Sequence, residues 1–285
     1  MSVVRLNSEQ IATFRRDGFV VAERLVDSAE VANLRVRIAA LFAGEYQTGV
    51  MPDEVNWRAG RDPETATRQL CNSWKADSQL AVTVMRSDIG RACATLAGWR
   101  GARVNQDNLF WKPPGARAIG FHQDSAYEQW VVPDDMVSCW IALDDTSARG
   151  GTVEYVRGSH QWGPGRREVA FHAPDEPFVD AAQAARDAGV DNPQRVAIEV
   201  KAGDAVFHHG WVWHGSQTNL GDTMRRSLVV HCMADTAQFH PTSVGPIYSR
   251  YKRFNDLDMD ESFFPITWRE DGYRSPLVDA VLTRS

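Results

Sequence analysis

The chain has 285 residues, enough for one large β domain or two ordinary ones, and 43% hydrophobic residues with ten Trp suffice for a sizeable core. A net charge of −6 and a pI of about 5.8 argue against a nucleic-acid partner, which favours a basic face. Cys71, Cys93, Cys139 and Cys232 contain no CxxC pair, so neither a zinc knuckle nor a disulfide framework is expected.

Free thiols fit a reducing cytoplasm, and the N-terminus lacks the basic-then-apolar pattern of a signal peptide. No run of about 18 apolar residues marks a membrane span. A cytoplasmic protein without membrane attachment is the expectation.

In chain order, Asn7 or Ser8 caps a helix carrying Ile11 and Phe14, which Asp17-Gly18 ends. Phe19-Val20-Val21 reads as a short strand. A second helix starts near Asp27 or Ser28, carries Val31, Leu34, Ile38 and Leu41 at helical spacing, and stops at Gly44. Residues 45–78 are polar and broken by Pro52, Gly60 and Pro63, the pattern of a long functional lid or a disordered loop. Residues 79–97 read as helical, and Gly98 to Gly101 as a turn. From 102 onward short β-rich runs alternate with turn residues: 103–111, 118–122, 137–143, 152–157, 196–200, 204–209 and 226–233. A polar insertion at 161–195, a candidate second lid, interrupts them. The expectation is one domain over 1–285. It has a helical part to about 100, an antiparallel jelly-roll core at about 102–233 and a mixed, aromatic tail at 234–285.

The chemistry centres on His122-Gln123-Asp124. A His and a carboxylate two apart on a strand share a face. With a distant His they form a two-His-one-carboxylate triad, which holds one face of Fe(II) and leaves the other open. His208, His209 and His214 compete for the third place. His214 is preferred, because Gly215-Ser216 follows it and an Arg comes eleven residues later, at 225. His208 and His209 read as structural histidines with locally satisfied nitrogens. A hairpin would set Arg225 on the strand beside His214, with Ser216 on the same face as His214. Arg225 and Arg226 are adjacent, so only one points inward, where its planar fork can grip a carboxylate.

Several stretches together resemble the phytanoyl-CoA dioxygenase family of Fe(II)/2-oxoglutarate oxygenases. They are GFHQDSAYEQW, SCWIALDDTSARGGTVEYVRGSHQWG, KAGDAVFHHGWVWHGSQTNLGDTMRRSL and the opening LNSEQIATFRRDGFVV. The resemblance covers about 7–45 and 102–233. It implies a mainly β fold with a double-stranded β-helix (jelly roll, cupin-like) core flanked by N-terminal helices. It also implies metal ligands at His122, Asp124 and His214, and 2-oxoglutarate held by Arg225 and Ser216. Gln106, Asn108 and Trp140 fall where the family lines the cosubstrate pocket. Arg157 replaces the Pro that usually precedes Gly-Ser-His. The carboxylate at Asp124 disfavours the halogenase variant, in which a small residue opens a chloride site.

The resemblance further implies that Fe(II), 2-oxoglutarate and O₂ together oxidise a C–H bond of a small molecule, giving succinate and CO₂, in secondary metabolism. Tyr127, Glu128, Trp130, Asp134 and Glu154 are the candidate substrate residues. Acid side chains among them suggest an amine-rich substrate such as an aminoglycoside antibiotic. A CoA ester is disfavoured for want of a basic cluster, Arg166-Arg167 being the exception. The alternatives are a 2-oxoglutarate-independent jelly-roll metalloenzyme, which does not need Arg225, and a non-catalytic jelly-roll binding module.

Overall fold

In a computed structural model of the protein, which describes residues 4–165 and 169–283, the chain folds as two main antiparallel sheets and a two-stranded ribbon of Val131–Val132 with Gln238–Phe239, with the N-terminal helices against the larger sheet. In order, the elements are α1 (Ser8–Asp17), β1 (Phe19–Ala22), α2 (Ser28–Phe42), β2 (Glu54–Val55), β3 (Arg68–Cys71), α3 (Ser78–Val84), α4 (Ser87–Ala97), β4 (Gly101–Lys112), β5 (Ile119–His122), β6 (Val131–Val132) and β7 (Val137–Ala142). There follow β8 (Val153–Val156), α5 (Val179–Asp187), β9 (Arg195–Ala197), β10 (Ala205–His209), β11 (His214–Ser216), β12 (Arg225–Ala234), β13 (Gln238–Phe239), β14 (Ile266–Arg269) and α6 (Pro276–Leu282).

The larger sheet runs β1-β10-β7-β12-β4-β3-β2, with β14 also on β4; the smaller runs β5-β11-β8-β9. Strand alternation gives the larger sheet two different faces. Cys139, Ile141, Phe207, Leu228 and Val230 point to the helices and form the main core with Leu34, Ile38, Ile89 and Cys93. Their neighbours Trp140, Val206 and Val229 point the other way and pack with Val153 and Tyr155 of the smaller sheet. A register shift between His231 and Cys232 re-aims β4, so that Val104 joins the helix-side core while Gln106 and Asn108 face the cavity between the sheets. This is the double-stranded β-helix expected from the sequence.

Local signals account for the helices. Asn7 accepts from Gln10 N at 2.8 Å while the Gln10 side chain accepts from Asn7 N at 3.0 Å, a reciprocal cap, and Gly18 closes α1 at φ 84°. The stretch expected to be helical at 79–97 is so, as two helices, α3 and α4. Arg86 leaves helical geometry at ψ 120°, and its buried guanidinium holds Leu25 O at 2.8 Å and Asp88 at 2.8 Å. The expected lid at 45–78 also differs. It carries β2 and β3, which extend the larger sheet from β4 and put Glu54, Gln69 and Cys71 on the cavity wall. Two and four residues are too short a run to show alternation against a polar background. The insertion at 161–195 holds α5 and sends Phe171 and His172 to the cavity, while Arg166-Arg167 lie outside the described residues. Among the described residues, no helix is long and apolar enough to cross a membrane.

Candidate active site

A cavity of about 450 Å³ lies between the sheets, and His122, Asp124 and His214 stand on its wall. β5 ends at His122, so Asp124 is not on the strand as expected. Gln123 keeps extended geometry (φ −119°, ψ 126°), and Asp124 opens a short 3-10 turn that still faces the His122 side. His214 pairs directly with His122 across β11 and β5. One candidate ligand atom from each residue lies within 4.8 Å of the other two.

The hydrogen bonds fix how these atoms point. His122 Nδ1 lies 2.9 Å from Gly120 O and His214 Nδ1 3.1 Å from Val212 O. A carbonyl only accepts, so each Nδ1 carries the proton and each Nε2 keeps its lone pair. Both lone pairs face Asp124 Oδ1, at 3.5 and 3.4 Å. Three acceptors turned on one another with no hydrogen among them repel unless a cation sits between them. Burial, then His122, pushes the His214 imidazole well below its usual range, keeping it neutral. Burial opposes the charge of Asp124, but its polar surroundings hold the carboxyl well below the usual range. Two neutral imidazoles and one carboxylate suit Fe(II).

Asp124 Oδ2 is held from the other side. His208 Nε2 sits 3.0 Å away and the Ser138 hydroxyl donates at 2.9 Å. His208 Nδ1 in turn accepts from Tyr155 at 2.9 Å. Behind Ser138, His231 Nδ1 donates to its oxygen at 2.7 Å and Asn108 Nδ2 donates to His231 Nε2 at 3.1 Å. His208 was therefore misread from sequence as locally satisfied: it supports the carboxylate. His209, beside His160 and Phe14 at the α1 end of the sheet, is structural as expected.

Arg225 is the arginine that turns inward. It is buried on the cavity wall, while Arg226 faces the other way and grips Asp144 with two bonds of 2.9 and 2.7 Å. Arg225 and His214 do not neighbour each other on one sheet, as the hairpin reading had it. β12 belongs to the larger sheet and β11 to the smaller, so the two residues meet across the cavity. The Arg225 guanidinium touches Ser227 Oγ at 3.1 Å and Gly151 O at 3.3 Å, and its Nε has no partner. Burial lowers it to about 10, still charged at neutral pH.

The other expected residues divide. Ser216, Trp140, Gln106 and Asn108 all line the cavity, Gln106 accepting from Tyr248. Tyr127, Glu128 and Trp130 line it as well. Asp134 and Glu154 do not. Alternation on β8 turns Val153 and Tyr155 inward and Glu154 outward, its carboxylate 3.7 Å from Arg195, and Asp134 lies in the loop after β6. Sequence reading missed Glu54, Phe171, His172 and the 245–248 segment, which close the mouth from three distant parts of the chain. It also gave no role to Lys112, which is fully buried behind Ser216. Arg157, the departure from the family pattern, pairs with Asp17 at 2.6 Å, away from the cavity.

Comparison with known proteins agrees with this geometry. The model of the phytanoyl-CoA dioxygenase (PhyH) family matches residues 14–227. The bovine phytanoyl-CoA dioxygenase domain-containing protein 1 is 24% identical over 268 residues, 80% of this chain and 90% of that protein. With the rat form the match spans 66% of this chain and 64% of that protein, just under two thirds of its length. Among solved structures, the non-heme α-ketoglutarate-dependent carbocyclase SnoK from nogalamycin biosynthesis superposes with a TM-score of 0.71 at 26% identity, covering 92% of this chain and 96% of that one. The epimerase SnoN, solved with Fe3+, α-ketoglutarate and nogalamycin RO, superposes with a TM-score of 0.72 at 21% identity, covering 91% and 98%. The chain belongs to the phytanoyl-CoA dioxygenase family of iron- and 2-oxoglutarate-dependent dioxygenases.

Proposed function

We propose that the protein oxidises a C–H bond of a small natural product carrying an amine, with His122, Asp124 and His214 as the iron ligands and Arg225 as the 2-oxoglutarate clamp. The observation that carries this reading is the three-acceptor cluster with a buried arginine across the same cavity whose Nε has no partner. When bound, iron and 2-oxoglutarate couple decarboxylation to succinate and CO₂ with oxidation of the substrate by O₂. The chain's own residues do the rest. Nδ1 bonds to backbone carbonyls aim the two imidazoles. Ser138 and His208 occupy Asp124 Oδ2 and leave Oδ1 for the metal. Arg225 fixes the far end of the cosubstrate. Tyr127, Phe171, Ile247 and Tyr248 screen the centre from water.

The substrate end supports an amine through Glu54, exposed at the mouth, while Glu128, buried further in with its carboxyl pushed up to about 8, offers a neutral hydrogen-bonding group. No lysine lines the cavity, and Arg225 is its one arginine among the described residues. Aromatic and aliphatic side chains dominate the rest, which favours a substrate with an apolar body over a fully hydroxylated aminoglycoside. The test is a mass-spectrometric screen of succinate formation across amine-bearing natural products and their neutral analogues. Succinate formed in step with oxidised product is expected. Tight iron with no 2-oxoglutarate turnover on any member would favour the 2-oxoglutarate-independent reading. Equal turnover of cationic and neutral analogues would overturn the amine assignment alone.

A further inference from the structure

We propose that Tyr248 is a positioning residue that sets substrate specificity: its hydroxyl locks the Gln106 amide with the N–H groups toward the cavity, so the substrate must present a carbonyl oxygen there. This rests on His122, Asp124 and His214 being the iron ligands and Arg225 the clamp, and it adds an acceptor to the amine already inferred for the substrate.

Register on β4 separates Gln106 from the cosubstrate, although the family resemblance groups the two. Lys112 pairs with Arg225 on β12, and Gln106 pairs with His231 further along the same strand. The strand between them spans about 20 Å at its usual rise per residue. His231 stands 3.5 Å from Asp124 Oδ2, so the order along the wall is clamp, metal ligands, Gln106. A short diacid that runs from Arg225 to the metal ends before Gln106. Gln106 therefore borders the substrate end of the cavity, with Glu128 and Trp130.

Tyr248 decides which way the amide faces. Its hydroxyl bonds Gln106 Oε1. Tyr248 is buried, and among the described residues that oxygen is the one acceptor its hydroxyl has. The hydroxyl therefore donates, which fixes Oε1 as the acceptor and turns Nε2 with both its hydrogens away from Tyr248. Among the described residues nothing accepts from Nε2, and the open space beside Gln106 is the cavity. A free glutamine can turn its amide to suit donors and acceptors alike. A locked one suits acceptors only.

A phenol locks its partner only if it is itself held. Tyr248 belongs to the loop 240–252, outside the stretch shared with the family, residues 14–227. Lys252 Nζ donates to His240 O at 2.7 Å and Pro241 O at 2.8 Å, which closes the loop on itself. The Tyr248 ring packs on Trp130 with centroids 4.5 Å apart, and a Cβ on Gly245 would lie 2.6 Å from Trp130 Cγ, so a glycine is what lets the loop lie this close. Tyr251 donates to Asp53, which Lys75 pairs at 2.7 Å, tying the loop beside β2 and Glu54.

The test is binding of amine-bearing natural products to the Fe(II)- and 2-oxoglutarate-loaded protein under argon. Each compound is paired with an analogue whose carbonyl is reduced to a methylene, and binding is read from the change in the charge-transfer absorption of the loaded iron. The wild type is expected to bind carbonyl members roughly tenfold or more tightly than their methylene partners. Tyr248→Phe keeps the ring on Trp130 but frees the amide, so that preference should largely vanish. Gln106→Glu offers the cavity an oxygen in place of the N–H groups and should reverse it. The 2-oxoglutarate affinity of both variants, read from the same absorption without a probe, should stay close to that of the wild type. Equal binding of both members of every pair by the wild type would overturn the proposal, as would a wild-type preference kept in Tyr248→Phe. So would a Gln106→Glu protein that binds 2-oxoglutarate weakly and keeps the preference, which would return Gln106 to the cosubstrate. Arg225→Ala separates the two readings. Normal 2-oxoglutarate affinity in that variant would overturn the clamp, whereas a clamp that holds while Tyr248→Phe changes nothing would overturn only the role of Tyr248.

Discussion

His208 Nε2 lies 3.0 Å from Asp124 Oδ2, the carboxylate oxygen turned away from His122 and His214. An ionised carboxylate only accepts, so His208 donates through Nε2 and its Nδ1 accepts the Tyr155 hydroxyl. The bond leaves Asp124 one oxygen for the metal and sets its angle. Removing such a support costs roughly 10–100-fold in metal affinity. His208→Ala should therefore weaken Fe(II) binding by about that factor in a chelator competition, while Asp124→Ala abolishes it. Wild-type affinity in His208→Ala would mean that Ser138 alone suffices to hold the carboxylate.

The two adjacent arginines separate by partner. Arg225 is buried in the cavity wall, whereas Arg226 spends its fork on Asp144. Truncating a group that pairs with a buried charge costs about 2–5 kcal/mol. Arg225→Ala should raise the 2-oxoglutarate KM by roughly 30-fold or more. Arg226→Ala should leave that KM nearly unchanged and lower the melting temperature instead, since Asp144 loses a bidentate partner. The reverse pattern in steady-state kinetics would show the register of β12 to be off by one.

Much of this site was legible because its signals are local. The i, i+2 spacing of His122 and Asp124 survives the end of β5 because Gln123 stays extended. Arg225 carries the spacing of its family from His214. What was hidden depends on long-range packing. Lys112 reaches Ser216 and Gln217, 104 and 105 residues away, and nothing in a Lys-Pro-Pro-Gly turn announces that. Glu154 misled because a carboxylate between two apolar residues suggests a pocket-facing acid. In fact Val153 and Tyr155 take the inner face and alternation turns Glu154 outward, toward Arg195. β2 and β3 were unreadable because Arg68–Cys71 gains its strand geometry from β4, and Glu54-Val55 in turn from β3, not from their own pattern.

Glu128 links the cavity to stability. Burial pushes its carboxyl up to about 8, and Asn105 Nδ2 bonds it at 2.8 Å. In the unfolded chain it would titrate near 4.5. Between those values the native state holds a proton that the unfolded state has released, so stability falls as pH rises from about 4.5 to about 8. Below that window Glu128 is neutral in both states and contributes no slope. Glu128→Gln keeps the shape and an oxygen for Asn105 but cannot ionise. Its urea midpoint should match the wild type near pH 5 and exceed it at pH 8. Parallel wild-type and variant curves across that range would show that Glu128 ionises freely in the folded protein.

Gly215 sits between His214 and Ser216 with its Cα hydrogen facing β5. A Cβ there would lie 2.7 Å from Phe121 Cδ2 and 2.9 Å from Ile119 O. The ring could turn, but the carbonyl belongs to the strand that ends in His122. Relief must therefore come from β11 and β5 moving apart, and that motion separates the two imidazoles now facing Asp124 Oδ1 at 3.5 and 3.4 Å. Overpacking of this kind costs about 1–3 kcal/mol. Gly215→Ala should lower the melting temperature and weaken Fe(II) binding together, without touching any ligand. The coupling is the informative part. A melting loss with wild-type metal affinity would mean that the strain is absorbed at Phe121 and that β11 and β5 keep their spacing.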